Sequence, residues 1–163
     1  MSRAKTLAKH IERTVTGPMW HGPALAQVLQ AVTHERAAMR PLAGAHSIWE
    51  IVVHIAVWAE IARARLKGQS TGDPPPDEDW PAVSAASLDD WRIAVERLGF
   101  SHRLLAADVR EMDDQQLDAS VPGLEYSVSV LLHGVVEHGT YHGGQIMILS
   151  RAAEGRFVID EKS

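Results

Sequence analysis

Two histidines four residues apart, His138 and His142, sit in EHGTYHGGQI (137–146), inside a run that otherwise has an apolar helical pattern. At 100° per residue the two imidazoles lie about 40° apart on a helix. Gln145 lies about 20° from His138, and Leu131 and Leu149 close the same stripe at about 20° each. The stripe is apolar at both ends and polar in the middle, as an internal site between packed helices should be. A second helical pattern, IWEIVVHIAVWAEIARARLK, carries His54 in its apolar centre, on a stripe with Glu50, Ile51, Trp58 and Ile61. A buried imidazole left unpaired costs roughly 1–3 kcal/mol, and three imidazoles from two facing helices satisfy one another through a shared cation. Three protein ligands leave a coordination position open, which is the arrangement of catalytic rather than structural zinc.

Plainer readings compete with this one. With nine histidines in the chain, chance supplies an H-x₃-H pair about half a time, so the spacing alone discriminates little. A lone histidine on an apolar face is more often a core residue with a hydrogen-bond partner. Glu50 fits a capping box with Ser47 better than a ligand role. His10, His34 and His102 read as surface residues, and His21 and His46 lie near helix starts. His133 stands about 140° from His138 and belongs to another face. Glu137 precedes His138 and lies about 100° off its stripe. That order excludes the H-E-x-x-H protease arrangement, whose glutamate follows the first histidine and acts as base.

Four glycines, Gly134, Gly139, Gly143 and Gly144, fall in the same helical run, at about 0.5–1 kcal/mol each relative to alanine. Close helix packing accounts for Gly134 and Gly139 in this reading. Gly143 and Gly144, beside His142, read as room for a partner helix or a substrate.

The chemistry available is bounded by composition. The absence of cysteine excludes disulfides, thiolate ligands and a cysteine nucleophile. A metal site must then be built from imidazole and carboxylate, which suits zinc, nickel or iron. Hydrophobic residues at 45% and charged residues at 23% are ordinary for a globular domain, and 163 residues suffice for a single core. A net charge of −5 without a concentrated block of either sign argues against nucleic acid or an anionic membrane as partner. No apolar run approaches the roughly 18 residues of a membrane span. The N-terminal stretch MSRAKTLAKHIERTV is charged throughout and does not read as a signal peptide, so the expected location is the cytoplasm.

The elements that must position these residues are helical throughout. Helical patterns cover about 3–16, 23–39, 47–67, 88–111 and 127–152, within a single domain over 1–163. Ser47 with Glu50, and Ser87 followed by Asp90, mark two helix starts. The stretch GQSTGDPPPDEDWPAV (68–83) holds four of the eight prolines and reads as an irregular crossover extending to about 86. The tail GRFVID could be extended. Four long helices with one long crossover predict an all-α helical bundle, a fold that commonly places metal or cofactor sites between facing helices.

HSIWEIVVHIAVW (46–58), followed after a long gap by LLHGVVEHGTYHGGQIMIL (131–149), resembles the DinB/YfiT-like superfamily, in particular its DinB-like branch. GPMWHGPALAQVL (17–29) resembles that branch too, so the likeness covers nearly the whole chain in the right order. It implies an up-down-down-up four-helix bundle, often a homodimer, with a divalent metal held by three histidines. Carried onto this chain, the ligands are His54, His138 and His142, with water or substrate in the remaining positions. Gln145 matches a residue that recurs in the family's last helix and would orient a ligand or a water from behind. Trp20 and His21 would line the pocket mouth, with Trp58 and Tyr141 also lining the pocket. Family members of known activity are largely transferases or isomerases that use mycothiol, bacillithiol or a glutathione-like thiol; others are labelled metal-dependent hydrolases. The expectation is therefore a metal-dependent enzyme, with Zn or Ni first and Fe or Mn next, that passes a small thiol to an electrophilic small-molecule substrate. The alternatives are hydrolysis by metal-bound water and a non-catalytic metal-binding stress-response protein.

Overall fold

The computed structural model describes residues 2–83 and 87–155. It contains eight helices among the described residues: α1 (Arg3–Thr16), α2 (Leu25–Leu29), α3 (His34–Ala38), α4 (Ile48–Leu66), α5 (Pro76–Asp79), α6 (Leu88–Arg110), α7 (Asp114–Asp118) and α8 (Val128–Ala153). No strand is present among them, only an isolated antiparallel bridge between Ser120 and Ser127. Among the described residues no helix is long and apolar enough to cross a membrane. Of the tail expected to be extended, GRFVID at 155–160, all but Gly155 lies outside the described residues.

The helix starts follow their local chemistry. The Ser47 hydroxyl accepts from the Glu50 amide while the Glu50 carboxylate accepts from the Ser47 amide, so two otherwise unpaired helix donors are satisfied at the head of α4. Ser87 and Asp90 form the same reciprocal pair at the head of α6. Ser127 caps α8 by accepting from the Val130 amide. Two expectations need correction. The segment read as one helix over 23–39 is two short helices, because the Thr33 hydroxyl accepts from the Arg36 amide and starts a new helix there. The crossover is not wholly irregular either: Pro76, with its φ already fixed for a first turn, opens the single-turn α5.

The four long helices pack in a ring, α1 on α6, α6 on α4, α4 on α8 and α8 on α1. Contacts between α4 and α6 rise together along the chain: Trp49 meets Trp91, Glu60 pairs with Arg97 and Arg63 with Asp108. Contacts between α4 and α8 run the other way, with His54 beside His138 and Arg65 beside Tyr126, two residues before the head of α8. Two clusters of buried side chains fill the interior. One gathers Trp49, Ile51, Ile55, Leu98 and Ile146, and the other Leu7, Ile11, Leu105, Val109 and Leu132.

His102, read from sequence as a surface residue, is 1% exposed in the α6 core. Its Nδ1–H donates to the Leu98 carbonyl one turn earlier at 3.0 Å, a partner available to any helical histidine and invisible to spacing. Its Nε2 has no hydrogen-bond partner. Burial pushes the imidazole down to about 4, whereas an unfolded histidine titrates near 6.5. As pH falls, the unfolded chain therefore takes up this proton first. The contribution is complete above about pH 6.5 and is lost progressively down to about pH 4, on the order of 3 kcal/mol in all. Urea unfolding of wild type and His102→Leu at pH 7.5, 5.5 and 4.5 is expected to show a shallower loss of stability in the variant. Equal pH slopes would remove His102 from the account.

Candidate metal centre

Antiparallel packing of α4 on α8 brings His54, His138 and His142 together. One ring nitrogen from each lies within 4.8 Å of the others, a spacing at which a single ion can be shared. His54 and His142 are each 5% exposed, and His138 is partly buried. The His54 and His138 Nε2 atoms are 3.0 Å apart. The ring centroids of the three imidazoles stand 4.4 to 4.9 Å from one another.

Two of the three rings have their tautomer set from behind. The Nδ1–H of His54 donates to the Asp79 carbonyl at 2.7 Å, and a carbonyl only accepts, so the lone pair of His54 is on Nε2. The Nδ1–H of His142 donates to Gln145 Oε1 at 2.6 Å, which leaves Nε2 free in the same way. Burial pushes all three histidines below the usual imidazole range. It dominates at His54 despite the hydrogen bond and charge of Asp79, and at His142 despite the hydrogen bond to Gln145. At His138 the effects of His142 and His54 add to burial and bring it to about 3. At neutral pH the three imidazoles are therefore uncharged, so a cation arriving there meets no imidazolium, and it displaces only the proton that His138 Nε2 shares with His54 Nε2.

The crossover supplies what the helix stripes did not reveal. The Asp79 carboxylate lies 3.2 Å from His54 Nδ1 and accepts the Trp58 Nε1–H at 2.7 Å. Trp80 is inserted flat between two imidazoles, with centroids 3.8 Å from His54 and 3.6 Å from His46 and both pairs inclined by only 4°. His46, set aside in the sequence as a residue near a helix start, is thus the outer face of a three-ring stack. A tryptophan within a polar, proline-rich stretch was the available signal, since an exposed indole has little reason to be there. Behind the stack, the buried Arg65 donates to the Tyr126 hydroxyl at 2.9 Å and the Gly72 carbonyl at 2.8 Å, tying the crossover to α4 and to the head of α8.

A cavity of about 550 Å³ opens on the histidines, lined by Trp58, Trp80, Tyr126, Leu131 and Tyr141. A second cavity of about 530 Å³ reaches His142 from the other side of Trp80, past His46 and Gln145. Trp20 and His21 do not line either one. Trp20 is 97% exposed, and His21 borders a small hollow with Thr14, Gly139 and Gly143, on the face of α8 turned toward α1 and α2. Glu50 is occupied by its cap and by Arg40, and Glu137 is exposed.

The glycines sort differently from the expectation. A Cβ on Gly139 would meet Thr14 Cγ2 at 2.5 Å, so Gly139 serves close packing against α1, whereas one on Gly143 would sit at ordinary contact distance, 3.4 Å, from Leu25 of α2. A Cβ on Gly134 or Gly144 would meet nothing within 4 Å, and Gly134 borders the larger cavity.

A buried three-imidazole cluster between helices, with a cavity at its open side, defines a class: all-helical proteins compatible with binding a divalent metal. The chain belongs to the DinB superfamily, whose family model matches residues 20–146. No curated protein and no solved structure gave a significant match.

The two glycine environments have opposite consequences for stability. Gly134→Ala is expected to stabilise the protein by roughly 0.5–1 kcal/mol, the gain of alanine over glycine in a helix with no steric cost. Gly139→Ala is expected to destabilise it by about 1–3 kcal/mol, because the Thr14 side chain is held by its hydroxyl on the His10 carbonyl. Urea denaturation of the two variants beside wild type reads both signs. Matching shifts would mean that α1 does not approach Gly139 so closely.

Proposed function

We propose that this protein is a metal-dependent enzyme in which His54, His138 and His142 hold a divalent ion and an exogenous small thiol attacks an electrophile beside it. The observation that carries the reading is the pre-set tautomer of His54 and His142, each with its Nδ1–H engaged from behind and its Nε2 lone pair turned to the cluster. Zinc or nickel suits three neutral imidazoles, and iron or manganese would also be accepted. The surrounding frame is read as an up-down-down-up four-helix bundle, supported by the rising contacts of α4 with α6 and the opposed contacts of α4 with α8. A homodimer is part of the same reading, for which exposed Ile93 and Phe100, seven apart on α6, offer an apolar face.

A bound divalent ion lowers the pKa of a coordinated thiol or water and so supplies a nucleophile at neutral pH. The residues of this chain perform the remaining tasks. Asp79 and Gln145 fix the ring orientation of His54 and His142. Trp80 and Trp58 wall the cluster from bulk water, and the aromatic cavity receives the organic part of the substrate. The thiol gives its proton to solvent, sulfur forms the new bond to carbon, and the leaving group departs with its electron pair. No side chain of this protein can be the sulfur nucleophile, because the chain has no cysteine.

Zinc- or nickel-loaded wild type is expected to carry stoichiometric metal by elemental analysis, and His54→Ala well below that. Gln145→Leu should keep the helical circular dichroism of wild type while losing about 10–100-fold in metal affinity in a chelator competition. Equal metal in wild type and His54→Ala would overturn the site. Conjugation of a model electrophile, run with and without each low-molecular-weight thiol, tests the reaction, and turnover without any thiol dependence would favour hydrolysis.

A further inference from the structure

We infer that the cavity beside the three histidines receives an elongated, uncharged apolar ligand, and that Gly134 sets the length of ligand it admits. This names the substrate class of the site proposed above and rests on the histidine cluster being its reactive end.

The cavity is a trough between two rows of side chains at four-residue spacing. On α4 the row is His54, Trp58 and Ala62, and on α8 it is Val130, Gly134 and His138. Because the two helices run in opposite directions, His54 faces His138, Trp58 stands 5.9 Å from the His138 ring, and Ala62 lies toward Val130. Eight residues of helix at 1.5 Å each make the trough about 12 Å long, two helical turns leading away from the histidines. Its far end is bounded by Tyr126, whose hydroxyl is taken by Arg65.

The charge in this trough is placed against an anion. Among the described residues lining it, the acid Asp79 stands at the histidine end, and no lysine or arginine takes part. Arg65 lies behind the wall, with its guanidinium engaged by Tyr126, Gly72 and the Trp58 ring. A carboxylate-bearing tripeptide would leave its charge without a partner there, whereas an alkyl or aryl chain would lie against Trp58, Leu131 and Val135.

Gly134 has no structural reason to be glycine. It sits mid-helix in α8 without a positive φ, and an added Cβ would meet nothing within 4 Å. What a side chain at this position would occupy is the trough itself, one turn from His138. Helix stability is given up here for open space next to the candidate reactive centre.

The test uses metal-free protein and a series of straight-chain primary alcohols from butanol to decanol, followed by the change in intrinsic tryptophan fluorescence, to which Trp58 and Trp80 in the trough contribute among five tryptophans. Affinity is expected to rise about fourfold per methylene and then level off once the chain spans the trough. Gly134→Leu should bring the plateau to shorter alcohols and weaken the longest ones by about tenfold or more, leaving butanol unchanged. Gly134→Ala, the milder change, should move the plateau the same way by less and keeps the test valid if the leucine variant does not fold. Three results would each overturn the inference: affinity independent of chain length, an unmoved plateau in both variants, or glutathione displacing octanol as readily as decanol does. The protein carries no metal in this assay, so the alcohol hydroxyl has no ion to bind. A failure here therefore leaves the metal stoichiometry of wild type and His54→Ala untouched, and a failure of that stoichiometry leaves the trough standing.

Discussion

Three imidazoles buried between α4 and α8 impose the constraint on which the rest of the site depends. Each brings two polar nitrogens into an apolar interface, where an unpaired one costs roughly 1–3 kcal/mol. Two of the outward nitrogens are engaged by Asp79 and Gln145. The inward ones face one another, with 3.0 Å between His54 and His138. Neutrality at pH 7 follows from the same burial, which disfavours the charged form of each ring, and from the neighbouring imidazoles. Helix register, crossover path and capping all have to agree for these nitrogens to meet.

Much of this was legible in the sequence, for identifiable reasons. The H-x₃-H pair, Gln145 and the isolated His54 follow from helical periodicity, and the serine caps at 47 and 87 follow from reciprocal side-chain chemistry. Asp79, Trp80 and His46 were not legible, because a single-turn helix has no period to read and stacking partners far apart in sequence leave no spacing. His102 was missed for a related reason: its partner is a backbone carbonyl, which every position possesses. The glycines show the limit most sharply. Gly134 and Gly139 look alike in sequence, yet one faces open space and the other a methyl group of Thr14.

The aromatic stack gives the centre a directional character. His46, Trp80 and His54 lie nearly parallel, so Trp80 is a partition with a cavity on either side. Tyr141 and His142 border both cavities as well. His142 can therefore be reached from either cavity.

The path of the chain explains why that partition exists. Contacts between α4 and α6 rise together in number, so the segment joining them must travel back along a helix of 19 residues, about 28 Å. A tight turn cannot make that journey. The returning chain passes over the open side of the α4–α8 seam, and its prolines and the single turn of α5 hold it extended and close. Arg65 anchors the departing end through Gly72, and Asp79 and Trp80 then fall over His54. A direction of packing that looks costly, since it demands a long connection with few internal hydrogen bonds, is thus what carries an acid and an indole onto the histidines.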